Sequence, residues 1–215
     1  MQAEKTQTRL WIVVGLAVIV AIWVMKGCDQ PPQRHRILVH IVDRSYSIEK
    51  YRARIGGWFS PIFMQMPPET NYIMIAMSRD SQIIAHYPEL PSVEKMAGDG
   101  VIKSLELDSR WGTKPLDALR LALDVARKYP GSDIAVVIFS DGENEFYDDE
   151  AELSLISKEL IEQKNVKAIG IFGVKDSLRP VWEDRFGISN QEKVIVRGVS
   201  DTEDNIPILI EKAIY

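Results

Sequence analysis

The sequence predicts an α/β domain, a doubly wound and mainly parallel sheet with helices on both faces, behind one N-terminal transmembrane helix. Three observations carry this expectation. Short, wholly apolar runs at 37–42, 134–139 and 166–172 suit strands buried on both faces. Amphipathic segments of helical period stand between them. Near the N-terminus lies an apolar stretch unlike anything later in the chain.

That stretch, 10–25, has no charged or strongly polar residue. As a helix it would span roughly 24 Å, a little less than a hydrocarbon core of about 30 Å. Arg9 and Lys26 extend its reach by snorkelling, and Trp11 and Trp23 stand near its ends, where interfacial aromatics belong. A cleaved signal peptide competes with an anchor, but no small-x-small site follows the apolar run. Cys28, the only cysteine, sits in Met-Lys-Gly-Cys, which matches a lipoprotein box only in its last two residues. We therefore expect a tail at 1–9, an uncleaved anchor at 10–27 and a polar linker at 28–36. Flanking charges are nearly tied. The short tail favours an extracytoplasmic domain, and one anchor plus one compact domain favours a single-pass protein of a bacterial inner membrane.

From residue 37 the elements alternate. Strand 37–42 leads into an amphipathic helix at 48–66, weakened by Gly56-Gly57 and closed by Pro67-Pro68. Runs 72–77 and 82–87, separated by polar 78–81, predict two strands of a hairpin. Segment 114–128 places Leu116, Leu119, Leu123 and Ala126 on one helix face, with Pro115 in the first turn. Strand 134–139, helix 150–164 and strand 166–172 follow. A short helix at 178–186, a strand at 193–196 and a final helix from 201 to 215 complete a Rossmann-like order.

Composition excludes several classes. Net charge is −5 and the pI about 5.3, so no overall basic field recommends nucleic acid. One cysteine allows neither an internal disulfide nor a cysteine zinc cage. His35, His40 and His86 lack metal-ligand spacing, and His40 reads as a core residue of the first strand. Ser140 stands in no Gly-x-Ser-x-Gly elbow, and no glycine loop cradles phosphate. The acidic run Glu143, Glu145, Asp148, Asp149 and Glu150 reads as a solvated face.

Five residues at element ends carry more weight. Asp43, Ser45 and Ser47, in Asp-Arg-Ser-Tyr-Ser, follow the first strand; Thr113, in Trp-Gly-Thr, opens the 114–128 helix; Asp141, in Ser-Asp-Gly, follows a central strand. Such loops cluster beyond the carboxyl ends of strands in an open α/β sheet. Hydroxyls and carboxylates are hard donors, suited to Mg²⁺, Mn²⁺ or Ca²⁺ rather than zinc. Each residue alone has a plainer use: Asp43, Ser45, Ser47 and Thr113 as helix caps, Asp141-Gly142 as a turn. Their joint occurrence favours one metal site.

Together these residues resemble the von Willebrand factor type A (vWA) domain, the fold also of integrin inserted domains. Residues 43–47 match that family's Asp-x-Ser-x-Ser signature in full, Gly112-Thr113 its threonine loop and Asp141-Gly142 its third loop. The resemblance spans 37–215 and implies a metal-ion-dependent adhesion site formed by these five residues, holding a divalent ion, usually Mg²⁺. A partner's Asp or Glu would complete the ion's shell. Two positions depart from the family. Arg44 puts a cation in the first loop, either weakening metal binding or receiving an acidic partner. Trp111 stands where glycine is common, either packed under the loop or, like Tyr46, on a partner-binding rim.

Three functions compete. A membrane-anchored module binding a protein partner through the metal leads, with no catalysis implied. A scaffold subunit of a membrane complex with a structural metal is second. A Mg²⁺-dependent hydrolase with Asp43 as nucleophile is third, disfavoured because Ser45 and Ser47 stand where such enzymes keep a second aspartate.

Overall fold

In the computed structural model the chain divides into two compact units, 1–34 and 35–215. The structure describes residues 35–45, 47–48, 52–101, 112–144, 148–187 and 192–214, all in the second unit. The expected anchor at 10–27 therefore lies outside the described residues, as does the linker up to residue 34. Among the described residues no helix is long and apolar enough to cross a membrane.

The elements run β1 (Arg36–Asp43), α1 (Arg52–Gln65), β2 (Asn71–Met77), β3 (Gln82–Tyr87), α2 (Val93–Gly98), α3 (Pro115–Lys128), β4 (Asp133–Phe139), α4 (Glu150–Glu162), β5 (Val166–Val174), α5 (Arg179–Arg185), β6 (Val194–Gly198) and α6 (Thr202–Ile214). They form one six-stranded sheet of order β3-β2-β1-β4-β5-β6. All neighbours are parallel except β2 and β3, the expected hairpin. Strand β3 is the partly exposed edge, which is where an antiparallel strand on such a sheet belongs.

Period-2 alternation divides the core between two faces. On one face Ile37, Val39 and Ile41 of β1 join Val136 and Ile138 of β4, beneath Leu116, Leu119 and Leu123 of α3 and Leu153 and Leu160 of α4. On the other, Leu38, Met74, Val137, Phe139 and Phe172 lie beneath Trp58 and Ile62 of α1 and Ile206 and Leu209 of α6. Close approach of α6 depends on Gly170, where a Cβ would stand 2.6 Å from Leu209 and 2.5 Å from Phe172. His40 belongs to this second face, as expected of a core residue. Its ring lies 4.4 Å from Phe59 and 5.0 Å from Phe139, and Nδ1 is 2.9 Å from the Tyr72 hydroxyl.

Several boundaries differ from expectation by a residue or two, and one helix is new. Helix α1 is described from Arg52, residues 49–51 of the predicted 48–66 span lying outside the described residues, and it accommodates Pro61 internally. Helix α2 was not expected; Ser92 caps it by accepting from the Lys95 N–H, and Met96 alone anchors it in the core. A six-residue helix has too little periodicity to announce itself in sequence. The last strand runs through Gly198, two residues beyond expectation.

The sheet order locates the functional crevice. From β1 the chain winds outward through β2 and β3, then returns to the other side of β1 for β4, β5 and β6. The carboxyl ends of β1 and β4 thus flank the point where winding reverses, the usual binding crevice of open α/β sheets. Asp43 ends β1, and Ser140-Asp141 follows β4.

Candidate metal centre

Asp43 is the hub of the crevice. Its Oδ1 accepts the Ser45 backbone N–H at 2.8 Å, its Oδ2 accepts the Ser140 hydroxyl at 2.7 Å, and the Thr113 hydroxyl stands 3.2 Å from both oxygens. Ser45 and Ser47 hydroxyls are 3.0 Å apart and share one hydrogen bond. Four of the five expected donors are therefore one connected network. Parallel pairing on both flanks of β1 fixes its end: Asp43 is opposite Met77, the Arg44 N–H donates to the Met77 carbonyl at 2.8 Å, and the Lys114 N–H donates to the Ser78 carbonyl at 3.2 Å. The threonine loop is thereby tied to the β2 end, and Gly112 turns it with a φ of 110°.

Asp141 joins through its neighbour. The Ser140 hydroxyl that binds Asp43 also accepts the Gly142 N–H at 3.0 Å, so one residue spans the two aspartate loops. Asp141 Oδ1 accepts the Glu143 N–H at 3.2 Å, an Asx turn. Asp141 Oδ2 is fully buried and accepts no hydrogen bond of good geometry, although the Lys175 ammonium stands 3.2 Å away. Gly142 is required: its φ is 86°, and a Cβ there would lie 2.8 Å from Trp182 Nε1 and 2.9 Å from Val174. That same indole N–H donates to the Gly142 carbonyl at 2.9 Å, so α5 props the loop from below.

The electrostatics follow from burial. Asp43, Ser45, Thr113, Ser140 and Asp141 are all buried, while Ser47 and Arg44 are half-buried. Removal from water pushes the Asp43 carboxyl up to about 6; hydrogen bonds from Ser140 and Ser45 pull against that rise, and the charge of Asp141 adds to it. Burial works against the Lys175 ammonium, but its hydrogen bond to Glu143 and the charge of Asp141 outweigh it, leaving its pKa raised.

The residues fit a small, hard cation. A serine or threonine hydroxyl that donates its proton to a carboxylate keeps lone pairs for a metal, and Thr113 does this toward Asp43. Asp141 Oδ2 is a buried carboxylate oxygen that among the described residues meets only the partly exposed Lys175 ammonium. Among the described residues no cluster of three or more His, Cys, Asp or Glu side chains is placed to hold a metal. An ion held here by the described residues would draw on hydroxyls beside the two carboxylates, a donor set that suits Mg²⁺ and Mn²⁺.

Several expectations change against this geometry. Thr113 does not cap α3, whose cap residue Lys114 makes no side-chain cap bond; buried Asp148 reaches across to accept the Leu116 N–H at 2.9 Å. In the acidic run Asp149 and Glu150 are exposed, as expected of a solvated face, while Glu143 is half-buried, Asp148 is buried and Glu145 lies outside the described residues. Asp149 caps α4 through the Ala151 and Glu152 N–H groups, Glu150 pairs with the buried Arg185, and Glu143 pairs with Lys175. Ser140, Lys175, Glu143, Asp148 and Trp182 all support the crevice and were not assigned from sequence. Of the rim residues, Tyr46 and Trp111 lie outside the described residues; Arg44 sits beside the hub.

Comparison with solved structures decides the fold. A vWA protein from Catenulispora acidiphila superposes with a TM-score of 0.65 at 13% identity, covering 84% of this chain and 43% of that one. The fold is that of a vWA domain. An aerotolerance-related membrane protein from Bacteroides fragilis matches at 0.60 and 14% identity over 83% of this chain and 98% of its own, and manganese-loaded Plasmodium vivax TRAP at 0.58 and 12% over 82% and 74%. The vWA-fold chain spans less than half the length of the Catenulispora protein and of several other solved chains it matches. No protein-family profile and no curated protein matches the sequence.

Proposed function

We propose that this vWA-fold protein is a membrane-anchored interaction module that binds a protein partner through a divalent cation. Asp43, Ser45, Ser47, Thr113 and Asp141 would hold the ion, Mg²⁺ foremost with Mn²⁺ or Ca²⁺ as substitutes, and a partner's Asp or Glu would complete its shell. The observation that supports this is the hydrogen-bonded network of Asp43, Ser45, Ser47 and Thr113 at the crevice between β1 and β4, tied through Ser140 to the loop of Asp141, whose buried Oδ2 faces only a partly exposed lysine among the described residues. With the two carboxylates binding mainly through water, neutral hydroxyls would leave much of the ion's charge uncompensated, and an acidic group from outside would be attracted. The apolar segment 10–27 would fix the module to a membrane, in a bacterial inner membrane with the domain outside the cytoplasm. The match to a metal-loaded TRAP and to a membrane protein of Bacteroides fragilis supports the metal and the anchor by analogy of fold.

Nothing in the crevice favours catalysis. Both Asp43 oxygens already accept hydrogen bonds, which makes that carboxylate a poor nucleophile. A scaffold role has one observation in its favour: the network around Asp43 is closed by the protein's own donors.

The test is calorimetric titration of Mn²⁺ and Mg²⁺ into the purified full chain in detergent, beside Asp43→Ala and Ser45→Ala. Saturable binding lost in both variants, with partner capture abolished by chelator, is the expected result. A folded wild-type chain that takes up neither ion would refute the metal-dependent module and leave the scaffold.

A further inference from the structure

Lys175 occupies a place that the metal site does not need it to occupy. It directly follows β5, and its backbone N–H donates to the Asp141 carbonyl at 2.9 Å, so pairing of β4 with β5 fixes it beside that aspartate. Its ammonium lies 3.2 Å from Asp141 Oδ2, the buried oxygen best suited to receive a cation, and also binds Glu143. Glu143 is itself tied to Asp141, whose Oδ1 accepts its N–H. Three residues thus form a chain, Asp141–Lys175–Glu143, with one cation between two carboxylates. The Lys175 side chain is partly exposed at 26%, as is Glu143 at 32%, whereas that of Asp141 is fully enclosed. The ammonium can therefore move outward toward Glu143 and water while Asp141 cannot follow.

We propose that Lys175 is a tethered competitor of the divalent ion, holding the Asp141 side of the site until the ion displaces it onto Glu143. This rests on the metal-site reading above and adds its regulation. A like charge a few ångströms away in a buried crevice opposes a cation strongly, whereas an ammonium drawn aside by a carboxylate opposes it less. The lysine therefore sets the divalent concentration at which the site fills, and Glu143 lowers that threshold. Without an ion, the same contact compensates the buried Asp141 carboxylate.

The experiment measures Mn²⁺ affinity by calorimetry and thermal midpoint with and without Mn²⁺, on the full chain in detergent. Lys175→Met should bind Mn²⁺ about tenfold or more tightly than wild type and show a lower midpoint without metal. Lys175→Arg keeps the charge and should stay near wild type. Glu143→Gln should weaken binding several-fold in the wild-type background and much less in Lys175→Met. Wild type and Lys175→Met binding with equal affinity would overturn the competitor while leaving the metal site standing. Absence of binding in wild type, Lys175→Met and Lys175→Arg alike, each with a cooperative melt, would overturn both.

Discussion

His40 gives the sharpest test of how the core beneath the crevice is built. Its ring is fully buried among Phe59, Phe139 and Tyr72, and burial pushes its pKa down from 6.5 to about 3. In the unfolded chain the same imidazole titrates near its ordinary value of about 6.5. Acidification then protonates the unfolded chain first, so the group's contribution to stability is complete above pH 6.5 and is lost as pH falls toward 3. Between pH 7 and pH 5 the loss from this one residue is about 2 kcal/mol, rising to about 3 kcal/mol at pH 4. His40→Phe fills the ring volume and removes the titration, leaving the Tyr72 hydroxyl without its partner at a cost of about 1–3 kcal/mol that does not vary over this range. The assay is urea unfolding of wild type and variant at pH 7, 6, 5 and 4, with chelator present throughout. The stability difference between the two chains should shrink or reverse by about 2 kcal/mol from pH 7 to pH 5. Parallel loss of stability in both would mean that the imidazole is not held neutral in the folded core, and the reasoning from burial would fail.

Two further substitutions probe the supports of the metal loops. Gly142→Ala puts a Cβ on a left-handed residue against Trp182 and Val174, and should cost about 2–4 kcal/mol from backbone strain and loss of the indole hydrogen bond, read as a fall in thermal midpoint; an unchanged midpoint would mean the loop relaxes freely. Asp148→Ala removes the side chain that caps α3 from another segment and should cost about 1–2 kcal/mol, with Asp148→Asn recovering most of it because an amide oxygen still accepts from Leu116.

The sequence was most informative where its signals are local. Apolar strands and helix-period faces placed every strand within a few residues, and the parallel order followed from their alternation. The five proposed donors stand out because each lies next to an element boundary that periodicity marks. What sequence concealed was who holds the donors in place. Ser140 binds Asp43 from 97 positions away and Asp148 caps α3 from 32; neither separation leaves a trace in periodicity. Thr113 precedes a helix, which makes a cap the natural expectation, yet its hydroxyl turns to Asp43 because a helix start already capped by Asp148 has no need of it. Lys175 and Glu143 were invisible for the same reason. Their meeting depends on β5 lying beside β4, a fact of the folded sheet.

The two aspartates at the crevice are not equivalent, and their difference gives each a distinct part in the proposed site. Asp43 accepts from Ser45, Thr113 and Ser140, so its oxygens are largely spoken for by the protein. Its contribution is to hold the Thr113 hydroxyl by its proton, leaving oxygen lone pairs for another electrophile, and to fix the turn carrying Ser45 and Ser47. Asp141 is held on one side by the Glu143 N–H and, among the described residues, meets only the Lys175 ammonium on the other. One carboxylate thus organises neutral donors, and the other keeps its outer oxygen available for exchange between cations. A crevice with two saturated aspartates would be inert, and one with two open aspartates would repel itself; burial already lifts Asp43 to about 6 with Asp141 nearby. Ser140, binding Asp43 while holding the Gly142 N–H, is what keeps the two roles at a fixed separation.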